Sequence, residues 1–235
     1  LRDAMRFYRD LAALAPDEVS ADAGLAMTPS GSTVFGVTLC YAGAPDKGLP
    51  VFDRLLAPIR AGLMAEQDTC GPAPYLAIQS AGDATFPRGG RYYWKAQFLR
   101  EISDDFIDVL LDGFSRAPSP RALFVFQQVG GAIAQVPPEA SAYVNREAAF
   151  DCFPVAIWDA AAEDAANMTW ARTLWAALRP FATGGVYLNN LGDDRNERLA
   201  EAHGDNLPRM AALKQRYDPS GLFDRFLLPA EGTRR

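Results

Sequence analysis

Residues 121–132 read RALFVFQQVGGA, and how this stretch is parsed decides the fold. The run from 121 to 129 is rich in branched and aromatic side chains and closes on Gly130-Gly131, which is the composition of a β-strand. Alternate side chains on a strand share a face, so Gln127 lies with Leu123, Val125 and Val129. An amide among apolar neighbours requires a hydrogen-bonding partner, and either a bound ligand or a neighbouring backbone group would supply it. Residues 132–136 then continue this strand or return from it.

Working outward, the periodicity changes with each segment. Residues 103–114 read as a helix, with Asp104 and Asp105 favourably near its positive end. Residues 92–99 (YYWKAQFL) and 34–41 (VFGVTLCY) have strand composition. Residues 1–14 form an amphipathic helix through Met5, Tyr8, Leu11 and Ala12, interrupted by Pro16 and Asp17. A further helix spans 48–65, with Pro58 placed to kink it, and Gly/Pro-rich loops cover 71–74 and 82–90.

Downstream, 148–158 reads as a strand that Pro154 assigns to a sheet edge. Residues 164–178 form a helix carrying Trp170, Leu174, Trp175 and Leu178. Residues 186–190 (VYLNN) read as a short strand, and a final helix runs from about 195 to 217, stopped by Asp218-Pro219. Strands and helices come in runs rather than strict alternation. The expected class is therefore α+β: a mainly antiparallel β-sheet flanked by helices, with a C-terminal strand-helix extension. The expected division is a domain over 1–180 and an extension over 181–235.

Composition narrows the function. The 235 residues are 49% hydrophobic and 22% charged, which is ordinary for a globular chain that buries a core. The net charge is −6 and no basic stripe is present, so nucleic acid is not an expected partner. No run is apolar for long enough to span a bilayer, and no membrane partner is expected. Cys40, Cys70 and Cys152 are widely spaced and odd in number, which suits a reducing compartment, and with no export signal visible a cytoplasmic location is expected. No metal site is expected either, since neither a Cys-x-x-Cys pair nor a His-rich tract occurs. The chain starts at Leu1, as a fragment of a longer polypeptide would.

Several side chains have chemistry that needs a reading. Asp151 stands among Phe150, Cys152 and Phe153, where burial would raise its pKa towards that of a general base; an exposed edge-strand charge is the other reading. On a strand, Tyr187 and Asn189 point one way while Val186, Leu188 and Asn190 point the other, so a phenol and an amide share a face that can bind a polar ligand edge. The bland alternative is a strand whose polar groups are satisfied within the fold. Lys95 reads as a snorkelling surface lysine or as an anion contact. Asp193, Asp194 and Glu197 read as a solvated helix start, and His203 as a surface helix residue. No hydrolase elbow, P-loop or dinucleotide fingerprint is present.

Taken in order, these segments resemble the C-terminal half of the berberine-bridge-enzyme-like FAD-linked oxidoreductases. The motifs that carry the resemblance are Gly130-Gly131-Ala132, then Asn145-Arg146 where a His-Arg pair is usual, then Gly184, Gly185, Tyr187 and Asn189 as Gly-Gly-x-Tyr-x-Asn. Leu191, Gly192 and Asp193 follow, and then Gly204, Asn206, Arg209, Leu213, Lys214, Tyr217, Asp218, Pro219 and Phe223.

The resemblance implies a two-domain plan. FAD would be held mainly by a flavin-binding domain of the same polypeptide that lies outside this chain. This chain would supply the sheet that roofs a small-molecule substrate, such as an alcohol or a sugar, and the segment that braces the flavin domain. It implies that Tyr187, Asn189 and Asn190 line the cofactor and that Gln127 faces the substrate. Several relatives carry a tyrosine base where this chain has Asn190, and an amide cannot take a proton at neutral pH. Asp151 is the replacement candidate, since another branch carries a carboxylate near this position. The tail 224–229 also departs from the family's usual Asn-rich ending. A non-catalytic ligand- or protein-binding module on the same fold is the rival expectation, and a scaffold dimerising through its sheet is a third.

Overall fold

The computed structural model describes residues 1–62, 67–193 and 195–223, with the backbone alone for 195–197. Within these residues six strands form one antiparallel sheet: β1 (Val19–Met27), β2 (Thr33–Tyr41), β3 (Arg91–Trp94), β4 (Gln97–Leu99), β5 (Leu123–Gln128) and β6 (Phe150–Trp158). Their order is β2-β1-β5-β6-β3, and β4 also pairs with β6. The helices are α1 (Arg2–Leu14), α2 (Pro45–Gly62), α3 (Tyr75–Ser80), α4 (Asp104–Phe114), α5 (Asp164–Leu178), α6 (Arg195–His203) and α7 (Leu207–Tyr217). The chain therefore has the α+β architecture expected of it.

One sheet face is closed by α1, α4 and α5. Met5, Tyr8 and Leu11 from α1 meet Phe106, Ile107 and Leu110 from α4 and Trp170, Leu174 and Leu178 from α5, all buried over Phe124, Phe126, Phe150 and Cys152. Phe126 stands at the centre of the rings, 5.0 Å from Phe124, 5.8 Å from Tyr8 and 6.0 Å from Phe106. Burying one such ring contributes about 2–3 kcal/mol, so this layer carries much of the stability. Helix α4 starts where Ser103 Oγ accepts from the Phe106 N–H, with Asp104 and Asp105 in its first turn.

The strand expected over 92–99 is two strands in one register. Arg91 pairs with Trp158 and Trp94 with Val155; Gln97 pairs with Cys152 and Leu99 with Phe150. The break falls at Lys95 and Ala96, opposite Pro154 and Phe153. Pro154 has no N–H to give, and the ladder is interrupted where that donor is missing. This corrects the assignment of the 148–158 strand to an edge: β6 is an interior strand, with β5 on one side and β3 and β4 on the other. The gap also frees the Ala96 carbonyl, which accepts from Trp175 Nε1 and from Arg198 Nη1.

The second face is covered only in part. Val186, Leu191, Leu199 and Ala202 form a small cluster with Ala96, against which Phe153 and Leu188 pack. Among the described residues, no such cluster covers the β2-β1-β5 half of the sheet on this face. Four further expectations fail. Residues 132–136 are not a strand but lie mostly in a 3-10 turn, Gly131–Gln135. Among the described residues, 186–190 have no strand partner, and Leu188–Asn190 is another 3-10 turn, so the described part of the C-terminal extension is turns and helices rather than strand and helix. The final helix is interrupted at Gly204–Asn206, where Gly204 takes φ +46°. A strand that the sequence reading lacks, β1, lies between β2 and β5. The end of the helix expected over 48–65 (residues 63–65), Asp194, the Glu197 side chain and the tail from 224 lie outside the described residues.

Candidate active site

The uncovered face meets its cover along one row of side chains. Gln127 on β5 pairs across to Asp151 on β6, which pairs across to Phe98 on β4. The β1–β5 register, extended one step beyond Ala23 and Phe126, puts Asp22 opposite Gln127 on the same face. Asp22 Oδ1 accepts from the Gln128 N–H at 3.0 Å, while Gln128 Oε1 accepts from the Ala21 N–H at 2.7 Å, so the ladder is completed by side chains.

Asn190 reaches down onto this row from the covering segment. Its Nδ2 donates to Asp151 Oδ2 at 2.6 Å and to Gln127 Oε1 at 3.2 Å. The partner required by Gln127 is thus a side-chain amide of the same chain. The 3-10 turn aims Asn190 here through its own N–H to the Tyr187 carbonyl (2.9 Å), and Trp94 Nε1 donates to the Asn190 carbonyl at 3.2 Å. Gly185 lets the segment lie close, since a Cβ there would overlap the Asn145 side chain, whose Nδ2 donates to the Val186 carbonyl.

Asp151 is 1% exposed. Burial pushes its carboxyl up to about 7, against the opposing pull of the Asn190 hydrogen bond, the Arg198 charge and the Cys152 N–H. Among the described residues it is the one acidic side chain in the buried set. Its Oδ1 is buried and has no partner there. The Tyr143 hydroxyl is likewise buried and unpartnered, its ring edge-on to Phe98 at 6.1 Å and to Tyr187 at 6.2 Å. Burial first, and then the Asp151 charge, push that phenol up to about 12. Asp22 is also raised, by burial opposed by the Gln128 N–H.

Tyr187 and Asn189 do lie together, although not on a strand: Asn189 Nδ2 donates to Tyr187 Oη at 2.7 Å, at the exposed rim. The structure therefore brings Asp151, Gln127 and Asn190 into one hydrogen-bonded cluster and places Tyr187 and Asn189 at its edge. The sequence reading missed Asp22, Tyr143 and Arg198. A phenol and an arginine buried far apart in the chain leave no local signal. Asp22 sits at the outward position of an alternating Val19-Ala21-Ala23-Leu25 pattern, and that alternation was available.

Three peripheral expectations change. His203 is not a surface residue but 3% exposed, and both ring nitrogens lack partners among the described residues. Lys95 packs over the Trp175 ring at 4.6 Å. Asp193 accepts from Tyr93 Oη at 3.0 Å and pairs with Arg172 Nη2 at 2.5 Å, so it fastens this segment to α5. Among the described residues there is no group of three His, Cys, Asp or Glu placed to hold a metal, and no helix is long and apolar enough to cross a membrane.

No family model matches the chain. It is similar to an FAD-linked oxidoreductase of Dictyostelium discoideum, 22% identical over 213 residues, which covers 88% of this chain and 44% of that protein. Its fold matches that of BBE-like #28 from Arabidopsis thaliana with a TM-score of 0.77 at 17% identity, over 93% of this chain and 51% of that one. The berberine bridge enzyme from Eschscholzia californica matches with a TM-score of 0.71 at 14% identity, over 93% of this chain and 50% of that one. The resemblance carried by the sequence motifs is thus met again in curated relatives and in fold. The chain spans less than half the length of the curated relatives it matches.

Proposed function

We propose that this chain is the substrate-facing half of a berberine-bridge-like FAD-linked oxidoreductase, and that Asp151 is the group that takes the substrate's proton. The relatives' names and the shared fold support the oxidoreductase part. The observation that carries the residue assignment is the orphaned Oδ1 of a buried carboxyl whose pKa stands at about 7. Such a group is ionised often enough at neutral pH to act as a base and basic enough to hold what it takes.

The residues at the rim suit a flavin ring. Tyr187 is an exposed aromatic, and Asn189 and Asn190 supply neutral donors and acceptors beside it. When bound, FAD supplies the two-electron acceptor for a hydride leaving a substrate carbon. The chain's own part is different. Gln127 and Asn190 bind and orient the substrate, Asp151 Oδ1 receives the hydroxyl proton as the carbon–oxygen double bond forms, and Tyr143 with Phe98 keeps water from that oxygen. Asn190 cannot itself be the base: it covers Asp151 Oδ2 and leaves Oδ1 to take the proton.

That cover favours one other reading, a ligand-binding module in which Asp151 serves only to hold Asn190. Anaerobic flavin reduction in the polypeptide that carries this chain together with a flavin domain separates the two. On the catalytic reading, the reduction rate by an oxidisable alcohol rises with pH to a plateau above about 7, and Asp151→Asn lowers it by about 10²–10⁴-fold. A rate unaffected by the substitution would leave Asp151 a holding residue.

A further inference from the structure

The hydrogen-bond polarity of the site is set from below. Above about pH 7 the Asp151 carboxyl is ionised and only accepts, so there the Asn190 atom facing Oδ2 at 2.6 Å must be the nitrogen. The second proton of that nitrogen goes to Gln127 Oε1 at 3.2 Å, which fixes the Gln127 amide in turn. Both amide orientations are therefore dictated by one buried charge. The two atoms left over are Asn190 Oδ1, an acceptor, and Gln127 Nε2, a donor. Neither has a partner among the described residues, neither falls among the buried unpartnered atoms, and both side chains are half-buried at the margin of the open sheet face.

We infer that this pair reads a ligand edge carrying a hydrogen-bond donor beside an acceptor in fixed positions, as in a lactam or cis-amide, and that Asp151 is the positioning residue that sets this preference. The inference deepens the reading of the site as substrate-facing and rests on it. Hydroxyl groups donate or accept as needed and would not be discriminated. An N–H beside a C=O would meet Asn190 Oδ1 and Gln127 Nε2 in matched order, whereas removing its N–H would leave Asn190 Oδ1 facing a methyl group. Leaving such a polar atom unpaired is the strong form of discrimination. A lactam substrate and the pyrimidine edge of a flavin share this chemistry.

The test uses the full 235-residue chain without flavin, at about pH 8 where Asp151 is ionised, observing the side-chain amide resonances of Gln127 and Asn190 by NMR. The probes are 2-pyridone and N-methyl-2-pyridone, with lumiflavin and N3-methyl-lumiflavin as a second pair. At least one unmethylated probe is expected to shift both amides and to bind about tenfold more tightly than its methylated analogue. Discrimination within the pyridone pair assigns the edge to substrate, and discrimination confined to the lumiflavin pair assigns it to cofactor. Gln127→Glu replaces the outward donor by an acceptor, so the preference should move to benzamidine, which presents two donors. Equal binding within both pairs, no shift with any probe, or a Gln127→Glu chain that keeps the wild-type preference would overturn the inference. None of these readouts needs bound FAD or turnover, so failure of the oxidoreductase reading would show separately.

Discussion

Replacing Asp151 by Asn removes the buried acidic side chain while keeping its shape, and the consequence for stability can be worked through. Burial holds the folded carboxyl at about 7 against an ordinary 3.8. Below the lower value both folded and unfolded chains are protonated, and the folded state suffers no penalty. Between the two values the folded chain keeps a proton that the unfolded chain has released, so stability falls as pH rises; above about 7 the loss is complete. A gap of about three units at about 1.36 kcal/mol each makes that loss about 4 kcal/mol. The raised Asp22 slopes the same way, while the lowered Asp104, Asp164, Asp193 and Asp218 slope the opposite way. The difference between wild type and Asp151→Asn cancels all of these. Urea unfolding of both chains from about pH 4 to about pH 8 should show the variant gaining about 4 kcal/mol on the wild type toward the alkaline end. A difference that does not change with pH, or one of opposite slope, would mean that the fold does not raise the Asp151 carboxyl, and the reading of Asp151 as a base poised near neutrality would fall.

Two further outcomes test the scaffold. Phe126→Ala should cost about 3–5 kcal/mol in denaturant unfolding, because it empties the centre of the ring cluster of Tyr8, Phe106 and Phe124; a cost below about 1 kcal/mol would show that the helical layer does not close over β5. Ser103→Ala removes the cap on the Phe106 N–H and should cost about 1 kcal/mol, measured the same way, with no change in ligand binding at Asn190.

Much of this molecule is legible in its sequence, and the failures have physical causes. The helices at 1–14, 103–114 and 164–178 and the strands at 34–41 and 121–129 announce themselves through periodicity and β-branched or aromatic content. β1 is harder to see because VSADAGLAM is built from small residues; its inward positions Val19, Ala21, Ala23 and Leu25 alternate, but β-propensity is low. The small side chains have a reason, since a Cβ at Gly24 would meet the Phe124 carbonyl. The stretch VYLNN misleads in the opposite direction, having strand composition but, among the described residues, no strand edge to pair with. Pro154 is read correctly as a missing donor, yet an interior strand tolerates it where the partner strand is itself broken at Lys95 and Ala96. At the site, the residue types point to proton transfer and polar recognition. That Asn190 caps Asp151 and fixes Gln127 depends on contacts between residues 39 and 63 positions apart, which only the fold brings together.

The measurement that bears most directly on this reading is the visible absorbance of the polypeptide that carries this chain in full, taken before and after anaerobic addition of oxidisable alcohols. An oxidoreductase of this kind should show a flavin band that bleaches with substrate and returns on admitting an oxidant. A polypeptide that binds no flavin, even after reconstitution with FAD, would contradict it and leave the fold serving as a ligand-binding module.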